Sequence, residues 1–341
     1  MRLTRKGRAK TQRKFLIFVI FFSLMILSVG YAAFTTNIRL NAKGNITQKP
    51  FGVSKLIEDV VVTGDGLYED SLEQGRYIYK GANPDNYITL GNDLYRIISI
   101  ESDNYIKVIR NTAIGSYPYD NNDRFSSVST DYCGYTSSSE DYKGCNVWGS
   151  KTSMLDSSGN NITKMVRSMS DPTLYDLPTL ESSLNVYLNG EWFNSLSYKS
   201  KIQEHLFNVG ILFDSNDLMT SEKNYKWRGF VAIINESDFI NSNSDLVNCS
   251  TRTLTNTNSS LCKDTTWLTN SENYNHTLGI FYNSNTSQIV GPDLVLYFGG
   301  AGTSYSAYSI YSRYVRPVFH LSATSRLKGY GTQESPYYLV D

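Results

Sequence analysis

Residues 87–109 read Tyr-Ile-Thr-Leu-Gly-Asn-Asp-Leu-Tyr-Arg-Ile-Ile-Ser-Ile-Glu-Ser-Asp-Asn-Tyr-Ile-Lys-Val-Ile. Three apolar runs are separated by two turn signals. Tyr87 to Leu90 is a short run, and Gly91-Asn92 is the two-residue signal of a tight hairpin. Leu94 to Ile100 alternates, with Leu94, Ile97 or Ile98, and Ile100 facing inward. Ser102-Asp103-Asn104 turns the chain again, and Tyr105 to Ile109 alternates in the same way. The stretch predicts a three-stranded antiparallel meander.

Beyond it, residues 111–180 are polar and loop-rich. Ser182 then caps a helix in which Leu184, Tyr187 and Leu188 follow i, i+3, i+4 spacing. Trp192, Phe193 and Leu196 carry that stripe past Gly190. A second short amphipathic stretch covers Ile202 to Phe207. Strand patterns return at Phe230–Ile234, Leu278–Tyr282, Leu294–Phe298 and Tyr314–Leu321. Helices lying between two sets of strands predict an α+β class, a mostly antiparallel sheet with one or two helices. No internal repeat is visible.

Upstream, residues 1–14 carry seven Lys or Arg and no acid, and residues 15–34 (FLIFVIFFSLMILSVGYAAF) carry no charge. Twenty mostly apolar residues rising ~1.5 Å each match a hydrocarbon layer of ~30 Å. The basic flank holds the N-terminus in the cytoplasm. The segment is either a single-pass anchor, with the rest of the chain outside the cell membrane, or a signal peptide cut after Gly30-Tyr31-Ala32, which releases the protein. The organisation expected is a basic cytoplasmic tail (1–14), a transmembrane anchor or signal (15–34), a stalk (35–63) and an extracellular domain (64–341).

Composition suits that placement. The chain is 40% apolar with 26 Tyr and 15 Phe, too apolar and aromatic for a disordered chain. Without the basic tail, 25 Lys and Arg face 32 Asp and Glu, which argues against nucleic acid as a partner. Cys133, Cys145, Cys249 and Cys262 form two sequence-local couples, each bracketing a polar loop. In an exported chain they read as disulfides 133–145 and 249–262. Zinc would want a Cys-x-x-Cys knuckle or a nearby His.

The sequence offers little chemistry. His205, His276 and His320 are far apart and form no metal motif, and Gly-x-Ser-x-Gly is absent. The loop Gly299 to Thr303 lacks the Lys and spacing of a phosphate cradle. Asp214, Asn216, Asp217 and Glu222 match no EF-hand order, so they read as a solvated turn, as do Asp120 and Asp123. No cofactor, metal or catalytic residue is expected. The best binding signal is aromatic: Tyr305, Tyr308, Tyr311 and Tyr314 recur every third residue among small residues, where rigid amphipathic rings suit recognition. A ligand site is expected at Tyr305, Tyr308 and Tyr311, with Trp227 lining it. The alternative is that these rings pack in the core.

Three stretches carry a family resemblance. The first runs from Gly66-Leu67-Tyr68 through Gly75 to Gly81 and Pro84 to Ile88, ending at Leu94-Tyr95-Arg96-Ile97-Ile98. The second is Gly229-Phe230-Val231-Ala232-Ile233-Ile234 with Glu236 to Phe239 and Thr266-Trp267-Leu268. The third is Val315-Arg316-Pro317-Val318-Phe319-His320-Leu321, closed by Gly329 to Thr332 and Ser335-Pro336-Tyr337. This order resembles exported proteins of low-GC Gram-positive bacteria that share a domain of unknown function. The resemblance implies a C-type-lectin-like domain, the fold also used by the formylglycine-generating enzymes. Glu-Pro-Asn and Trp-Asn-Asp calcium ligands are absent, and Cys262 precedes the closing strand, so neither activity transfers to any residue. Arg316 is expected to pin the closing strand by pairing with a buried carboxylate. The function expected is surface or secreted binding of a glycan or protein without catalysis. Alternatives are a structural matrix or appendage subunit, and an enzyme on the formylglycine-generating fold.

Overall fold

The computed structural model describes residues 48–71, 73–126, 128, 130–134, 143–167, 172–212, 222–244, 265–268, 275–281, 294–298 and 304–340. The expected membrane segment and the Cys249–Cys262 pair lie outside them. Among the described residues no helix is long and apolar enough to cross a membrane. Pro50–Asp341 packs as one compact unit. The chain is α+β and rich in antiparallel sheet.

The meander forms as expected, from Tyr87–Leu90, Asp93–Ile100 and Ile106–Arg110. Leu90 pairs with Asp93, leaving Gly91-Asn92 as the two-residue loop. Gly91 takes φ +58°, the left-handed region that such a turn requires. In the second hairpin the register slips between Ile97 and Ser99. A bulge adds one residue to one strand, and here both Ile97 and Ile98 become fully buried. The slip also sets Ser99 opposite Lys107.

This meander is the centre of the main sheet. Along one path the order is Phe51–Gly52, Arg326–Lys328, Tyr337–Leu339, Tyr87–Leu90, Asp93–Ile100, Ile106–Arg110, Val318–Leu321 and Ile202–Gln203. The C-terminal strand Tyr337–Leu339 joins Tyr87–Leu90 in parallel, and Phe51 stands opposite Leu327. Both ends of the compact unit are therefore stitched into one sheet. The compact unit begins at Pro50, inside the span 35–63 expected as a stalk. The reason is burial: Val53 and Leu56, on the short helix Val53–Glu58, are 3% and 2% exposed.

Among the described residues three smaller sheets accompany it, a two-stranded pair of Lys164–Val166 with Leu174–Asp176 and two larger ones. One orders Ser304–Tyr308, Leu294–Phe298, Asn275–Phe281, Arg313–Tyr314 and Ser116–Tyr117. The other orders His205–Asn208, Tyr225–Gly229 and Met154–Asp156. The amphipathic stretch expected at Ile202–Phe207 is thus extended. Ile202 pairs with Leu321 and Phe207 with Trp227, so sheet pairing overrides a local period too short to decide. Trp148, Phe207, Trp227 and Phe319 meet in a continuous apolar core.

The helix starts where expected. The Ser182 hydroxyl accepts from the Asn185 N–H, capping Ser183–Tyr187. It continues as a π turn over Leu188–Trp192, around Gly190, and ends at Phe193–Ser195. Leu184 and Leu188 are buried along its inner face. Cys133 and Cys145 form a disulfide, as the spacing suggests. Asp120 is the polar centre of that region. It is fully buried, accepting from the Cys145 and Ser183 N–H groups and from Arg124 Nε. The solvated turn expected at Asp120 is therefore a buried tie between the disulfide loop and the helix start.

Candidate functional site

The aromatic site expected near the C-terminus loses Trp227. Trp227 is 3% exposed and packs against Trp148 and Phe207, so it belongs to the core and lines no surface. Tyr311 is 40% exposed and meets the half-buried Tyr308 edge-on at 5.6 Å. Tyr305 lies in the strand Ser304–Tyr308 opposite Tyr297. The glycine loop 299–303 lies outside the described residues, as do Asp214, Asn216 and Asp217.

A cleft of about 460 Å³ opens elsewhere, where the first meander turn meets the helical segment. Its floor comes from the meander. Asp93 starts one strand and Arg110 ends its neighbour, so antiparallel pairing brings both to the same end of the hairpin. Arg110 Nη2 donates to Asp93 Oδ1 at 2.8 Å, and its Nη1 reaches the Ala113 carbonyl at 3.3 Å. The Tyr198 hydroxyl donates to Asp93 Oδ2 at 2.8 Å, and the Tyr95 hydroxyl joins the Tyr198 hydroxyl. Tyr198 fits because Gly91 has no side chain; a Cβ there would meet the Tyr198 ring at 3.0 Å.

The wall comes from the helix. Tyr187, Trp192, Ser195 and Leu196 line the cleft beside Ile114 and Ser197. Tyr187 stacks on Tyr117 at 4.8 Å, and their hydroxyls are 3.0 Å apart. The site is therefore an aromatic and aliphatic wall over a floor of hydroxyls and one ion pair.

Electrostatics fix that floor. Burial opposes the charge on Asp93, but the hydrogen bonds from Arg110 and Tyr198 outweigh it and hold its carboxyl below the usual range. Burial likewise opposes the Arg110 charge and is outweighed by Asp93, so the guanidinium is held more firmly protonated. Burial, then the Tyr95 contact and Asp93, push the Tyr198 phenol up. Burial and the Tyr117 hydroxyl push Tyr187 up to about 12. The cleft thus holds one anion and one cation that cancel, surrounded by neutral hydroxyls at ordinary pH.

A second polar cluster lies deep in the main sheet, and the sequence reading missed it. Arg76 Nη1 donates to Asp70 at 2.6 Å and Nη2 to Asp238 at 2.6 Å, while Nε lies 3.3 Å from Glu101. Lys107 Nζ reaches the other oxygen of Asp238 at 2.5 Å. Burial alone would favour neutral Arg76, yet Glu101, Asp238 and Asp70 together drive it the other way. Glu222, read from sequence as part of a solvated turn, is 1% exposed and accepts from the Ser237 N–H at 3.0 Å. Burial pushes its carboxyl up to about 7, with only the Ser237 hydrogen bonds and the more remote Lys107 opposing. His205 and His320, distant in sequence, stack at 3.9 Å. Arg316 does pin the closing strand, but its described partners are the carbonyls of Arg110 and Leu268.

No protein-family model, curated protein or solved structure matches this chain.

Proposed function

We propose that this chain is an exported, non-catalytic binding protein whose C-type-lectin-like domain takes a neutral carbohydrate in the cleft at Asp93, Arg110 and Tyr198. The cleft carries the reading. A sugar offers vicinal hydroxyls and an apolar ring face. A carboxylate, a guanidinium and hydroxyls on one side, with Trp192 and Tyr187 on the other, complement both. The mutual neutralisation of Asp93 and Arg110 favours an uncharged ligand, because an added ion of either sign must compete with a pair already made.

Export is supported by the basic run ahead of residues 15–34 and by the Cys133–Cys145 disulfide, a bond that persists in oxidising compartments. The lectin-like reading is supported by the closure of both ends of the compact unit into one sheet. The test is retention of the detergent-solubilised full chain on immobilised neutral, anionic and cationic oligosaccharides. Retention on neutral members, lost in Asp93→Ala, is expected. Retention on none of them refutes the proposal.

A further inference from the structure

Lys107 occupies an unusual place for a lysine. It is 7% exposed, on the central strand Ile106–Arg110, between Ser99 and His320 on the neighbouring strands. Its ammonium touches Asp238, a carboxylate that already has Arg76 as a cation. Its other contact is uncharged: Nζ donates to the side-chain carbonyl Oδ1 of Asn235 at 3.2 Å. Asn235 is itself 3% exposed, and its Nδ2 donates to the Asn208 carbonyl at 2.7 Å. The carboxamide is therefore held from both ends, with its carbonyl polarised by the amine.

We infer that Lys107 and Asn235 are the partners of an intramolecular amide cross-link that the folded chain forms on itself. The geometry supplies what amide exchange requires. Nζ lies 3.2 Å from the oxygen of the carboxamide it would attack, both side chains are buried, and a carboxylate contacts the amine. Lys107 gives a proton to Asp238, and the freed Nζ lone pair attacks Cγ of Asn235. A second proton leaves Nζ as the new C–N bond settles, and Asp238 returns a proton to the departing nitrogen. The Cγ–Nδ2 bond breaks and ammonia leaves, taking up a further proton as ammonium. No oxidant or cofactor is involved. Arg76 separates the roles of the two candidates for acylation, because a carboxylate kept ionised by a guanidinium is a poor acyl donor, which leaves the Asn235 carboxamide. The other titratable groups facing the pair are Glu101, Glu222 and His320, the last held well below its usual range by burial. The link would span 128 residues and join the central strand to the segment before the helix Glu236–Asn241, removing much of the freedom of the unfolded chain.

Peptide mapping of the purified, reduced full chain tests this directly and does not depend on the fate of the N-terminus. The expected result is a peptide containing Lys107 joined to one containing Asn235, lighter than their sum by one ammonia. Lys107→Arg keeps the cation and should abolish that species. Recovery of both wild-type peptides separately at their sequence masses overturns the inference. So does a link from Lys107 to Asp238 with loss of water. Since the readout is covalent, neither result bears on carbohydrate binding.

Discussion

Asp93 and Arg110 are seventeen residues apart in the chain, and their side chains meet at 2.8 Å at one end of a hairpin. The pair follows from register: a strand opened by an acid is paired with a strand closed by a base. Because each group is about a quarter to a third exposed, the pair anchors the cleft floor more than it stabilises the fold. Replacing Asp93 by Ala leaves the Tyr198 hydroxyl and Arg110 without their acceptor. We expect saccharide affinity to fall at least ~10-fold, about 1.4 kcal/mol. The loss of folding stability should be near 1 kcal/mol, the usual worth of such contacts. Equilibrium binding and urea melts of the same preparation check both figures.

Arg76 is the opposite case. Its guanidinium serves three carboxylates inside the sheet. Arg76→Met removes the cation that Asp70, Glu101 and Asp238 share. Breaking a buried pair from one side costs about 3–5 kcal/mol. The urea midpoint should drop accordingly, with an unchanged m-value. A shift below about 1 kcal/mol would mean that water already reaches the cluster.

Glu222 gives a pH signature. Its folded-state carboxyl is raised from 4.5 to about 7, so the native chain holds a proton that the unfolded chain has released. Stability from this group is full below pH 4.5, declines as pH rises, and is gone above about pH 7. Glu222→Gln should abolish that decline, making the mutant progressively more stable relative to wild type between pH 4.5 and 7. Parallel denaturation curves at several pH values measure it; a constant difference across that window would show that Glu222 does not titrate there.

The disulfide closes a short loop, with the two cysteines twelve residues apart. In the chain-entropy account such a closure stabilises by about 3 kcal/mol. The Cys133→Ser, Cys145→Ser double variant should lose somewhat less, because Asp120 still holds the Cys145 N–H and the helix start. Melts of oxidised wild type against the variant give the difference.

Sequence periodicity made the meander, the capped helix and the α+β class legible, because each rests on local signals: Gly91-Asn92, Ser182, and alternation through Leu94 to Ile100. The cleft was half legible. Asp93 and Arg110 follow from the hairpin once its register is known, but Tyr198 arrives from beyond the helix, and no local pattern announces it. The expectation for Trp227 failed because an aromatic beside polar neighbours reads the same whether it faces solvent or, as here, Trp148. Arg76 and Asp238 lie 162 residues apart, and only the fold brings them together. The Ile202–Phe207 stretch was too short for its period to tell a helix from the strands that partners impose on it.

The central claim is that the Asp93–Arg110–Tyr198 cleft binds a neutral sugar. Its most direct test is equilibrium binding of the detergent-solubilised full chain, wild type and Asp93→Ala side by side, to the panel of neutral oligosaccharides. The account predicts saturable binding to at least one of them by wild type, and at least ~10-fold weaker binding by the variant, with its folding stability lowered by only about 1 kcal/mol. Equal binding by the two proteins, or none by wild type, would contradict it.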